Sequence, residues 1–168
     1  MKNAKALTTR PVLDMTCGGR MMWFDHEDDR AVFIDNRTLS AELCDGRTFT
    51  ISPDVLADFR DLPFDDDTFR LVIFDPPHLE NLGKTSWLAT KYGALLPSWK
   101  DDLRAGFAEA FRVLMPGGIL IFKWSEIQIP LAEILKLTPA RPLVGHTGTN
   151  PATYWVTFLK ENNDNDLS

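Results

Sequence analysis

Cysteine, histidine and tyrosine are all scarce in this chain of 168 residues, which has 2, 3 and 2 of them. Cys17 and Cys44 form neither a metal-type spacing nor a disulfide framework, which points to a reducing, cytoplasmic setting. His26, His78 and His146 lack the spacing of metal ligands, so no metal site is expected. Basic charge is in deficit too. The net charge of −6 argues against broad nonspecific affinity for nucleic acid. A local basic face stays open, because much of the acid is clustered at 25–29, at 65–67 and in the tail. No apolar run approaches a membrane span, and the N-terminus lacks the apolar core of a signal peptide. No membrane partner is expected.

What remains is ordinary globular composition, 44% hydrophobic and 25% charged. It is enough for one domain with a sizeable core. The expected plan is a loose lead-in over 1–10, a single domain over 11–160 and a polar, disordered tail over 161–168.

The stretch that organises the domain is Leu71-Val72-Ile73-Phe74-Asp75-Pro76-Pro77-His78. Val, Ile and Phe favour a buried strand. Pro76 holds Asp75 extended, and neither proline can donate to a sheet ladder. The strand therefore ends in a stiff corner bearing a carboxylate, two acceptor-only carbonyls and an imidazole. In open parallel sheets that edge is where ligands bind. Asp-Pro also opens ordinary turns, so the corner alone does not establish a site.

Other strands are predicted at Pro11 to Asp14, Ala31 to Ile34 (closing on Asp35), Asp54 to Phe59 and Ile119 to Trp124. Met21 to Phe24 reads as a short helix after the Met15-Thr16-Cys17-Gly18-Gly19-Arg20 turn. Asp45-Gly46 predicts an inserted hairpin at about 40–51. Ser98 to Leu114 reads as a helix, capped by Ser98 with Asp101 and stopped by Pro116-Gly117-Gly118. A second helix is expected over Glu126 to Leu137, kinked or started at Pro130. Two closing strands follow, Leu143 to His146 and Tyr154 to Leu159. Strands alternating with helices argue an α/β fold with a mainly parallel sheet and an antiparallel C-terminal pair.

Acids recur at the strand ends: Asp14, Asp35 and Asp75 close strands, and Asp58 lies near the end of another. That regularity points to a ligand spanning the carboxyl edge. Gly18-Gly19 lets backbone approach a ligand, a following helix N-terminus favours an anion, and Asp35 is well placed for ribose hydroxyls. The turn lacks G-x-G-x-x-G spacing, so a nicotinamide dinucleotide is poorly supported.

In their order along the chain, these motifs resemble those of class I S-adenosylmethionine-dependent methyltransferases, whose fold is Rossmann-like. The resemblance rests on Val12-Leu13-Asp14 with Cys17-Gly18-Gly19, Phe33-Ile34-Asp35, Asp58 to Phe64 leading into Thr68 to Val72, and Phe111 to Leu120. It implies S-adenosyl-L-methionine as cofactor. Asp14 and Gly18 would line its methionine end, Thr16 and Cys17 would also bind it, Asp35 would meet the ribose, Asp58 the adenine amine, and the Phe59 backbone would lie beside the ring. Asp75-Pro76-Pro77-His78 resembles the signature of enzymes that methylate exocyclic amines of nucleobases. Asp75, Pro76 and Pro77 would then hold the amine. His78, standing where relatives carry an aromatic residue, would stack on the base, donate a hydrogen bond or accept a proton.

A lid over about 78–97 interleaves cations and aromatics, with Lys84, Trp87 and Tyr92 as candidates for meeting the substrate. These side chains can equally pack the loop against the sheet. The first expectation for the substrate is DNA adenine or cytosine, with RNA second. A small molecule, or a cofactor-binding module without turnover, stays open. The chain offers only the hairpin and the lid for reading a duplex, and specific readout needs several base-edge contacts.

Overall fold

A computed structural model describes residues 7–42, 46–80, 93–147 and 152–162. Lys84, Trp87, Tyr92, Asp45 and the tail beyond 162 lie outside them.

Nine strands are described: β1 (Val12–Asp14), β2 (Ala31–Asp35), β3 (Leu39–Glu42), β4 (Thr48–Ile51), β5 (Val55–Leu56), β6 (Phe69–Phe74), β7 (Leu114–Ser125), β8 (Val144–Thr147) and β9 (Thr153–Leu159). The described helices are α1 (Trp99–Val113) and α2 (Leu131–Ile134), with a 3-10 turn at Leu135–Leu137. Seven strands form one sheet in the order β5-β2-β1-β6-β7-β9-β8, and β3 pairs with β4 separately. β5, β2, β1, β6 and β7 run parallel, while β9 and β8 close the sheet antiparallel. The fold is therefore α/β with a mostly parallel sheet and an antiparallel C-terminal pair.

The central strands read as apolar runs because both faces are covered. All five residues of β2 are buried. α1 buries Trp99, Leu103, Gly106, Phe107, Ala110 and Val113 on one face. Phe107 meets Phe74 at right angles and lies 4.9 Å from Phe122, centroid to centroid. Gly106 sets how close the helix comes. A Cβ there would stand 2.7 Å from Phe74 and 2.8 Å from Phe59.

The structure corrects four local expectations. Met21 to Phe24 forms turns, with Arg20 at φ 55°. Four apolar residues are too few to repay helix nucleation. Trp23 instead packs edge-on against Phe33 and donates to Asp14. Ser98 does not cap α1; its hydroxyl lies 2.8 Å from Asp102. The second helical segment starts after Pro130, as one of its two readings has it, and runs through the 3-10 turn to Leu137; only its reach back to Glu126 is corrected, since Pro130 is extended and Glu126 accepts from the Leu131 N–H. The third strand of the parallel run shrinks to Val55–Leu56, which leaves Asp58 in the turn beyond it.

Candidate active site

At the carboxyl ends of β1, β2 and β6 the backbone itself draws three loops together. Met15 N–H donates to the Ile73 carbonyl and Cys17 N–H to that of Ile34. The Thr16 hydroxyl accepts from the Asp75 N–H at 2.8 Å, and Gly18 N–H donates to Asp35 at 3.0 Å. One turn is thus bonded to the strand ends on both sides. It encloses a cleft of about 520 Å³, within the range of small-molecule sites.

Thr16, Cys17, Gly18, Asp35, Phe59, Asp75 and Pro77 all line this cleft. Gly18 has φ 48°, and a Cβ placed there meets no heavy atom within 4 Å. That leaves open space against a left-handed backbone, a cradle that a ligand can approach. At Gly19, which also lines the cleft, a Cβ would strike the Phe49 ring at 2.5 Å. The hairpin of β3 and β4 therefore braces the glycine turn through Phe49.

The four acids have separate fates. Asp14 is 1% exposed and sits beneath the lining, accepting from Trp23 Nε1 at 2.7 Å and from the Thr16 N–H. Burial pushes its carboxyl up to about 7, against those two hydrogen bonds. Asp35 accepts from Gly18 N–H, from Arg37 N–H and from Arg37 Nε. A carboxylate offers about four lone-pair sites, so it keeps some capacity toward the cleft. Asp58 is off the lining. Arg60 grips it through two nitrogens and ties it to Asp102 of α1, and the first of these bonds holds its carboxyl below the usual range.

Asp75 faces the cleft with its carboxylate 2.5 Å from Lys123 Nζ. Pro77 is beside it on the lining, where Gly93 packs close to its ring. Pro76 and His78 are not on the lining. The His78 imidazole bonds the Pro76 carbonyl and stands edge-on to Trp124, 6.2 Å between centroids. Burial lowers its basicity and favours the neutral ring. Burial, with Asp14 and Asp35 nearby, pushes the Cys17 thiol up, so it is a poor nucleophile.

Asn36, Arg37, Met22, Gly93, Ala94 and Leu96 complete much of the wall. Sequence reasoning missed Arg37, although its position two residues beyond a strand-closing acid is a usable signal. Among the described residues no group of three or more His, Cys, Asp or Glu side chains could hold a metal ion. No described helix is long and apolar enough to cross a membrane.

Neither a protein-family model nor a curated protein matches the sequence. Solved structures do match. A protein of Pyrococcus horikoshii OT3 superimposes with a TM-score of 0.56 at 18% identity, over 89% of this chain and 81% of that one. The N-methyltransferase NodS of Bradyrhizobium japonicum WM9 gives 0.55 at 10% identity, over 94% of each chain. This chain has the Rossmann-like fold of the S-adenosylmethionine-dependent methyltransferases. A 1,6-didemethyltoxoflavin-N1-methyltransferase of Burkholderia thailandensis gives 0.51 at 16% identity, over 94% of this chain and 74% of that one. Its structure holds 1,6-didemethyltoxoflavin and S-adenosylhomocysteine.

Proposed function

We propose that this protein is an S-adenosylmethionine-dependent methyltransferase acting on an exocyclic amino nitrogen of a nucleobase, with DNA adenine or cytosine first and RNA second. The observation that carries the reading is one cleft that presents the open Gly18 turn, the Asp35 carboxylate and the Asp75 corner together. The donor set fits the cofactor. Gly18 would offer close backbone approach to the methionyl end, Asp35 would accept from ribose hydroxyls, and the Phe59 backbone would stand beside the adenine. Asp14 contributes from below the surface by fixing Thr16 and Trp23.

When bound, the cofactor supplies an electrophilic methyl group on a sulfonium. The protein's part is to make a poor nucleophile better. An aromatic amine delocalises its lone pair into the ring. Asp75, accepting from the amine N–H, favours the geometry in which that pair is localised on nitrogen. With both ligands bound, the Asp75 corner would hold the nitrogen toward the methyl group, which is the proximity contribution. With the cofactor bound, the amine pair would take up the methyl group, sulfur would keep the electrons of its former bond, and the nitrogen would then release a proton to solvent. Pro77 walls the amine. His78, neutral and turned to Trp124, supports the Pro76 corner instead of acting as a base.

A second reading, a small-molecule N-methyltransferase, draws support from the neighbours, since two are named for N-methylation. One experiment separates the two. The protein is incubated with methyl-labelled cofactor and separate DNA, RNA and metabolite pools, and nucleosides are analysed by mass spectrometry. Label in N-methylated adenine or cytosine is the expected result. Label confined to metabolites overturns the nucleobase reading, and cofactor binding without transfer to any pool marks a non-catalytic module.

A further inference from the structure

Lys123 is the feature of the cleft that the proposed chemistry leaves unused. β6 and β7 run parallel with Phe74 opposite Phe122, so Asp75, just past the end of β6, comes beside Lys123 on β7. Lys123 Nζ lies 2.5 Å from Asp75 Oδ2 and 5.8 Å from the ring centroid of Trp155, its partner across the β7–β9 ladder. Both side chains are mostly shielded, 25% and 17% exposed, and both line the cleft. An ammonium has three donors and a carboxylate about four acceptor sites. Each therefore keeps capacity beyond their mutual bond.

A carboxylate alone accepts from any amine. An ammonium fixed beside it asks for an acceptor next to that amine and repels a second donor. We propose that Lys123 is a specificity residue which, coupled to Asp75, selects a base edge where the exocyclic amine adjoins an unprotonated ring nitrogen. This rests on the nucleobase reading above and narrows it. Adenine and cytosine present such an edge on their pairing side, whereas guanine there sets its amine beside a ring N–H.

The test compares substrate oligonucleotides with analogues in which that ring nitrogen is replaced by C–H and the amine is kept. Wild type should lose on the order of 10- to 100-fold in kcat/KM on the analogue, the size of a hydrogen bond to a charged group. Lys123→Met should lose a similar factor on the parent base and treat parent and analogue alike. Lys123→Arg, which restores a cationic donor beside Asp75, should recover discrimination. If wild type does not discriminate, or if Lys123→Met still does, the role of Lys123 is overturned while methylation of the base stands. If wild type methylates no base at all, the nucleobase reading falls and takes this one with it. Should Lys123→Met fail to fold by circular dichroism, the wild-type and Lys123→Arg comparisons still decide.

Discussion

Asp35 and Asp75 both follow the apolar core of a parallel strand and both line the same cleft, yet they are held by opposite means. Asp35 is caught by two backbone N–H groups, from Gly18 and Arg37, and by one side-chain nitrogen. Among the described residues the Asp75 carboxylate receives no such backbone clamp and meets the Lys123 ammonium instead. A backbone clamp fixes an acceptor in place, as suits a group that binds the same ligand in every cycle. A side-chain partner can share its charge with an incoming substrate. On the proposed reading, the two ends of the cleft would serve binding and transfer respectively.

The largest expected effect breaks that division at the transfer end. Asp75→Ala should lower kcat by at least about 100-fold while cofactor affinity stays within about threefold. Single-turnover rates and calorimetry read the two separately, and a loss of cofactor binding would move Asp75 to the binding end. The converse change, Asp35→Ala, should weaken cofactor binding by about 10- to 100-fold. Unchanged affinity by calorimetry removes the ribose assignment.

Gly106→Ala sharpens the contrast from beneath. The added methyl meets Phe74 and Phe59 inside contact distance. Overpacking of this kind should cost about 1–3 kcal/mol in urea unfolding. Because Phe59 also lines the cleft, cofactor affinity should fall with it; a purely global loss of stability would separate α1 from the site.

Asp14 gives a pH signature. Its carboxyl holds its proton up to about 7 in the folded chain, against 3.8 as its ordinary value. Between those values the native state binds the extra proton, so this group's contribution to stability falls as pH rises through the window and levels off above it. Asp14→Asn, whose amide oxygen still accepts from Trp23, should flatten that slope in unfolding measurements from pH 4 to 8. The smallest effect belongs to Asp58→Ala. It breaks a partly exposed pair with Arg60, costs no more than about 1 kcal/mol and leaves cofactor affinity unchanged. A marked loss of affinity would return Asp58 to the adenine role that the family resemblance implies.

Much of this architecture could be read from residues alone. Ala31 to Ile34 and Leu71 to Phe74 are apolar runs ending at acids, and a strand buried on both faces leaves that signature. The closing antiparallel pair, expected at Leu143 to His146 and Tyr154 to Leu159, stands at Val144–Thr147 and Thr153–Leu159. The connection from β1 to β2 was not. Its four apolar residues look helical in isolation, but Trp23 is drawn to Asp14 and Phe33, contacts that exist only after the strands pair. Ser98 looked like a cap, and Asp102 one turn on took its hydroxyl.

What the sequence determined is the inventory of the edge: where the strands stop, which acids follow them, and the stiffness of Asp75-Pro76-Pro77. Local chemistry suffices for that, because β-branched runs, prolines and glycines act on their own neighbours. Which acid faces the cleft was settled only by tertiary structure. Arg60 draws Asp58 off the cleft lining, Trp23 covers Asp14, and Lys123, 48 positions away, reaches Asp75. A carboxylate takes its role from the donors that reach it, and those donors arrive from elements that the chain brings together only on folding.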